Sequence, residues 1–141
     1  MENGLVHIYC GDGKGKTTAA VGLAVRCLGG RGRVLFCQFL KDGTSGEINI
    51  LKKLDGACVF DGYKTTKFSF NMTDEEKKTA KEAYTADFEI ITELSVQYDM
   101  LVLDEILHAV NLGFIDEGRL LEFLKTSSGH IEIVLPGRDP S

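Results

Sequence analysis

Cys10-Gly11-Asp12-Gly13-Lys14-Gly15-Lys16-Thr17-Thr18 stands between an apolar run, Leu5-Val6-His7-Ile8-Tyr9, and a small-residue run, Ala19-Ala20-Val21-Gly22-Leu23-Ala24-Val25. A buried strand, a glycine-rich turn and a helix start are the context that a phosphate-cradling loop requires. Glycines let successive backbone N–H groups converge on one anion, where Cβ atoms would obstruct the curl. In that arrangement Lys16 reaches the outer phosphates and the Thr17 hydroxyl sits on a bridging magnesium ion. Counted back from Gly15-Lys16-Thr17, the first glycine of the usual motif is replaced by Cys10, with Gly11 one place late. The competing reading is a glycine-rich turn with incidental lysines. The flanking strand and helix favour nucleotide binding by Gly11, Asp12, Gly13, Lys14, Gly15, Lys16, Thr17 and Thr18.

Working outward, the helix after the loop is expected from about Lys16 to Leu28, stopped by Gly29-Gly30. Val34 to Leu40 reads as a second buried strand, running into the loop Lys41-Asp42-Gly43-Thr44-Ser45-Gly46. A short helix over Glu47–Leu54 and a short strand over Ala57–Phe60 follow. Asp61 to Met72 is irregular yet carries Tyr63, Phe68 and Phe70. These aromatics read either as a local strand or loop anchor, for Phe68 and Phe70, or as a mobile flap that presents aromatics to a large planar ligand. Thr73 and Glu76 have capping-box spacing and start a helix reaching about Gln97, with Ala80, Tyr84, Phe88, Ile91 and Leu94 on its core face. Met100–Leu103 is the next strand and Ile106–Val110 a short helix. Asp116 caps a last helix expected to face Leu120, Leu121, Phe123 and Leu124 inward. Ile131–Leu135 is the final strand. Strands alternating with helices predict one α/β domain, spanning 1–141, with a largely parallel sheet.

Asp104-Glu105 closes the apolar run Met100–Leu103. A carboxylate there can face Thr17 across a magnesium ion, so Asp104 is the expected metal ligand and Glu105 an outer partner, a base or a helix-start acid. His7 and His130 read as structural, and His108, just past the acidic pair, chiefly so. Arg138 follows a strand and a Pro-Gly turn at the rim of the phosphate loop, where a guanidinium can grip phosphate or ribose. Arg26 reads mainly as a helix-surface residue that can also touch nucleotide.

Composition narrows the classes. The 141 residues carry 43% hydrophobic and 26% charged residues, ordinary for a single globular domain. The formal net charge of −5 argues against a nucleic-acid partner. No apolar run approaches the ~20 residues of a membrane helix and no signal pattern opens the chain, so a cytoplasmic address and no membrane partner are expected. The four cysteines, Cys10, Cys27, Cys37 and Cys58, have no zinc or redox spacing. Three read as core filler, while Cys10 lies beside the phosphate loop.

Gly11 to Ala20, Arg33 to Lys41, Tyr98 to Ile106 and Ile131 to Arg138 together resemble the P-loop-type ATP:corrinoid (cob(I)alamin, cob(I)yrinic acid a,c-diamide) adenosyltransferases. The blocks occur in that family's order across nearly the whole chain, and the family's loop also lacks the first glycine. The resemblance implies a three-layer P-loop NTPase fold of RecA-like type. It also implies transfer of the 5′-deoxyadenosyl group of ATP to Co(I) of a reduced corrinoid, with release of triphosphate, in adenosylcobalamin synthesis or salvage. Lys16, Thr17, Asp104 and Glu105 are then the expected catalytic set, with ATP and Mg2+ held by the loop, Arg26 and Arg138. Co(I) is itself a strong nucleophile, so no catalytic base is required and the protein chiefly aligns reactants and excludes water. Gln38, Phe39, Lys41, Tyr63, Phe68 and Phe70 are the expected corrinoid side. A homodimer and a flavoprotein electron donor are further implications. Relatives carry a tryptophan in the variable segment and continue past Gly137-Arg138 into another strand and helix; this chain has neither, so a sheet edge is expected to be open. The alternatives are a small-molecule kinase or phosphohydrolase, and an ATP- or corrinoid-binding module without chemistry.

Overall fold

Alternation along the strands decides how the layers assemble. In β2, Val34 and Phe36 point to one face of the sheet while Leu35 and Cys37 point to the other, and all four are buried. A strand apolar on both faces must be covered on both faces, and this one is. The computed structural model of the chain describes residues 6–9, 15–40, 46–63, 72–127 and 129–136. Its elements are β1 (Val6–Tyr9), α1 (Gly15–Gly29), β2 (Val34–Gln38), α2 (Gly46–Leu51), β3 (Ala57–Val59), α3 (Asp74–Leu94), β4 (Met100–Asp104), α4 (Ile106–Asn111), α5 (Glu117–Ser127) and β5 (Glu132–Pro136).

The five strands pair in the order β1-β5-β4-β2-β3, every pair parallel. Connections that move along the sheet from β1 through β2 to β3 carry α1 and α2. Those that return through β4 to β5 carry α3, α4 and α5. One handedness of crossover then places the two sets of helices on opposite faces. The cores agree. Ala20, Ala24, Ile48 and Leu51 pack with Val34, Phe36, Val102 and Val134. On the other face, Tyr84, Phe88, Ile91, Ile106 and Leu120 pack with Leu35, Cys37, Leu101, Leu103, Ile133 and Leu135. This is the expected three-layer α/β architecture of a P-loop NTPase, with β5 standing between the strand that leads into the phosphate loop and the strand that ends in the acidic pair.

Helix α3 begins as its sequence requires. The Thr73 side chain accepts the Glu76 N–H and the Glu76 carboxylate accepts the Thr73 N–H, completing the capping box. The helix is regular to Leu94, and Ser95–Gln97 then tightens into a 3₁₀ turn. Three expectations need correction. β2 ends at Gln38, because Leu40 turns into the left-handed region at φ 62°. Helix α2 stops at Leu51 rather than Leu54. Leu121 is 52% exposed, one helical position round from buried Leu120 and therefore on the solvent side of α5. Among the described residues, no helix is long and apolar enough to cross a membrane.

Candidate functional site

Register places the chemistry. Tyr9, the last residue of β1, lies opposite Pro136 of β5. The Glu105 N–H donates to the Pro136 carbonyl at 3.0 Å. Asp104, the last residue of β4, lies opposite Gln38 of β2. One row thus crosses the carboxyl edge of the sheet, from the strand before the phosphate loop to the residue before Phe39. With strands about 4.8 Å apart, the end of β1 and Asp104 are separated by about 10 Å, a gap on the scale of a polyphosphate chain. Carboxyl ends of parallel strands are where such sheets bind ligands.

Asp104 is the centre of this row. It is 1% exposed, and its Oδ2 accepts the Gln38 amide Nε2 at 3.2 Å. Its carbonyl accepts the Phe39 N–H at 2.9 Å. A carboxylate buried to that degree is tolerated only with partners, since an isolated ion would cost far more than a strand end gains. Gln38, expected on the corrinoid side, is thereby placed on the acidic residue itself.

Glu105 adopts φ 64°, ψ 15°, a left-handed conformation that costs a non-glycine residue about 1–3 kcal/mol and persists only where surroundings enforce it. It stands at the N-cap position of α4, where an acid suits the helix dipole, and makes no side-chain cap bond. Its Oε2 instead lies 3.6 Å from Nδ1 of His108, both side chains being partly buried. Leu40, after β2, is also left-handed. Two neighbouring strand ends therefore turn sharply at the same edge.

The remaining expected residues divide. Gly15, Lys16, Thr17 and Thr18 form the first turn of α1, whose leading N–H groups have no intrahelical acceptor and suit an anion. Arg26 is exposed in the last turn of α1, ten residues and about 15 Å along the axis from Lys16, so the helix carries it away from the loop. Phe39 is 2% exposed and points into the core, a support beneath the rim rather than part of its surface. Tyr63 is half-buried. Gly11, Asp12, Gly13, Lys14, Lys41, Phe68, Phe70 and Arg138 lie outside the described residues, as does Cys10. Cys27 and Cys37 have thiols pushed up by burial, Cys37 the more strongly, which suits inert packing.

Beneath the rim lies an aromatic cluster centred on Tyr84. Its ring lies 5.1 Å from Tyr63, edge-on, 5.6 Å from Phe114, stacked, and 5.9 Å from Phe39. Burial pushes the Tyr84 phenol up to about 12. The hydroxyl has no hydrogen-bond partner among the described residues. Tyr84 belongs to the core stripe visible in the sequence, but its place under the rim has no sequence signal. Asp87, which accepts the Tyr63 N–H at 2.7 Å, has none either; an acid in a helix gives no sign of a partner 24 residues away.

Among the described residues, no group of three or more His, Cys, Asp or Glu could hold a metal ion. An all-protein cage is therefore not what these residues offer. The Asp104 carboxylate at the strand end is the kind of oxygen donor that Mg2+ takes, since that ion uses one or two carboxylates and completes its shell with substrate phosphates and water.

Residues 2–141 match the family model described as ATP:corrinoid adenosyltransferase BtuR/CobO/CobP. Corrinoid adenosyltransferase CobA of Salmonella typhimurium is 32% identical over 141 residues, covering 97% of this chain and 69% of that protein. A corrinoid adenosyltransferase of Escherichia coli K12 is 30% identical with the same coverages. One from a Sinorhizobium species is 31% identical over 144 residues, covering 98% of this chain and 65% of its own length.

Proposed function

The chain belongs to the ATP:corrinoid adenosyltransferase family, and on that premise we propose that the carboxyl edge of its sheet holds ATP with the ribose 5′-carbon presented to the Co(I) of a reduced corrinoid. The cobalt–carbon bond forms as the C5′–O bond breaks, and inorganic triphosphate leaves with the electron pair. The protein's work is to hold the leaving group, orient the ribose and exclude water.

The first turn of α1, with Lys16, gathers the charge that builds on the departing triphosphate. Thr17 and Asp104 would hold Mg2+, which supplies further neutralisation of that charge. Gln38 orients the Asp104 carboxylate by donating to Oδ2, the kind of supporting bond that fixes a ligand's direction. Glu105, turned by its left-handed backbone and with His108 beside it, would face the same phosphates. Arg138 would complete the nucleotide side. Tyr63, Phe68, Phe70 and Lys41 would serve the corrinoid side, with buried Phe39 supporting it from within. Arg26 is the weakest member of the set, since it stands at the other end of α1. A homodimer, a cytoplasmic address and a flavoprotein that keeps the corrinoid reduced accompany this reading.

The observation that carries it is the row Tyr9, Pro136, Glu105–Asp104, Gln38, which brings loop strand and acidic strand to one edge. The test is incubation with ATP, Mg2+ and chemically reduced cobalamin, following the visible spectrum and the phosphate products. Triphosphate should appear one-for-one with a light-sensitive organocobalt product, and Lys16→Ala should abolish both. ADP or orthophosphate as the product would favour a kinase or phosphohydrolase. Binding of ATP without any product would favour a non-catalytic module.

A further inference from the structure

Asp87 lies on α3, one turn from Tyr84, half-buried and away from the row that holds Asp104. Its Oδ2 accepts the Tyr63 N–H at 2.7 Å, its one hydrogen bond among the described residues. Burial pushes its carboxyl above the ordinary value, with that same backbone bond opposing the shift. A carboxylate in such a place costs desolvation, and no need of the helix accounts for it, so its use must be sought in the group it binds.

That group belongs to the turn after β3. The chain passes so close there that a Cβ on Gly62 would come within 2.6 Å of Asp87 Oδ2 and 2.7 Å of the Phe60 ring. A side chain there would have to push the Asp87 carboxylate or the Phe60 ring aside. The bond in turn fixes Tyr63, whose ring meets Tyr84 edge-on at 5.1 Å. Tyr84 lies 5.9 Å from Phe39, and the Phe39 N–H donates to the Asp104 carbonyl. Packed rings and two backbone bonds thus connect Asp87 to the acidic strand end.

We propose that Asp87 is a positioning residue for the macrocyclic substrate: by holding the Tyr63 N–H it sets an aromatic platform whose accessible face is Tyr63, backed from beneath by buried Tyr84 and Phe39, against which a large planar ring packs beside the nucleotide. This rests on the proposed adenosyl transfer. It distinguishes the two substrates, because the nucleotide is gripped by α1 and β4 while the ring system meets the platform. A neutral amide in place of the carboxylate keeps an acceptor for Tyr63, so Asp87→Asn should retain the function that Asp87→Ala removes.

The experiment compares wild type, Asp87→Ala and Asp87→Asn by steady-state kinetics with reduced cobalamin and with ATP, and by hydrogen exchange at the Tyr63 amide in the protein alone. Losing a short bond to a charged acceptor should raise the cobalamin KM about tenfold in Asp87→Ala, leave the ATP KM within about twofold, and speed Tyr63 exchange about tenfold or more. Asp87→Asn should stay within about threefold of wild type on all three, since its amide oxygen still accepts. Equal rises in both KM values, or faster Tyr63 exchange with an unchanged cobalamin KM, would overturn the proposal. Absence of organocobalt product from the wild-type chain contradicts the adenosyl-transfer reading instead, and exchange at Tyr63 then still decides whether Asp87 holds the turn.

Discussion

The two edges of this sheet use their side chains in opposite ways. At the amino edge, Arg33 makes a clamp of ordinary surface interactions. Its N–H donates to Asp99 Oδ2 at 2.8 Å, its Nη1 donates to the Gln97 carbonyl at 3.1 Å, and its guanidinium lies 4.8 Å from the centre of the Tyr98 ring. At the carboxyl edge a carboxylate is buried to 1% exposure, and Leu40 and Glu105 sit in left-handed backbone that glycine would adopt more easily. The first edge adds stability without offering a concave charged surface. Left-handed backbone occurs at both, since Arg31 before β2 has φ 67°, so what sets the second edge apart is the buried charge that its turns flank, an arrangement that costs stability as functional sites do. The same strands run to both edges, so the difference arises in the segments that flank them.

Substitutions can break or sharpen that contrast. Asp104→Asn should have the largest effect, lowering adenosyl transfer by about a hundredfold through loss of the charge opposite the triphosphate. Thermal unfolding should move far less, because asparagine keeps the volume and an acceptor for Gln38. A melting temperature that collapses with activity would make Asp104 a structural residue. Arg33→Ala should do the reverse, costing about 1–2 kcal/mol of stability from the lost hydrogen bond and ring contact while leaving turnover unchanged. Denaturant unfolding beside a kinetic assay checks both halves.

The smallest expected effect is one of pH. Burial raises the Asp87 carboxyl, so the folded chain holds that proton more tightly than the unfolded one. Its favourable contribution is present below the unfolded value and is lost as pH rises through the folded one. The stability of wild type relative to Asp87→Asn should therefore decline from the ordinary carboxylate range upward, then level off. A difference independent of pH would mean that Asp87 titrates as it does in the unfolded chain.

Local chemistry made much of this legible. Thr73 and Glu76 announced a capping box that forms with both of its bonds. The apolar run before Asp104 announced a buried strand ending in acid, because a residue's burial on both faces of a parallel sheet leaves few polar options. Strand order was not legible: nothing within Glu132–Pro136 says that it inserts between β1 and β4, since that depends on which helices cover which face. Leu40 and Glu105 carry no mark of their left-handed backbone, which is imposed by the neighbours they bond. Gln38 showed itself as a polar end to an apolar strand, but its partner lies 66 residues away. The resemblance puts Phe39 at the rim, whereas alternation along β2 turns it into the core.

The most direct test of the account is hydrogen exchange mapped along the chain before and after adding ATP with Mg2+. Protection should concentrate at the first turn of α1, at Gln38–Phe39 and at Asp104–Ile106, with Arg33 and Tyr98–Met100 unchanged. Protection centred on the Arg33 clamp, or absent from the carboxyl edge, would contradict the placement of the nucleotide on which the proposed chemistry depends.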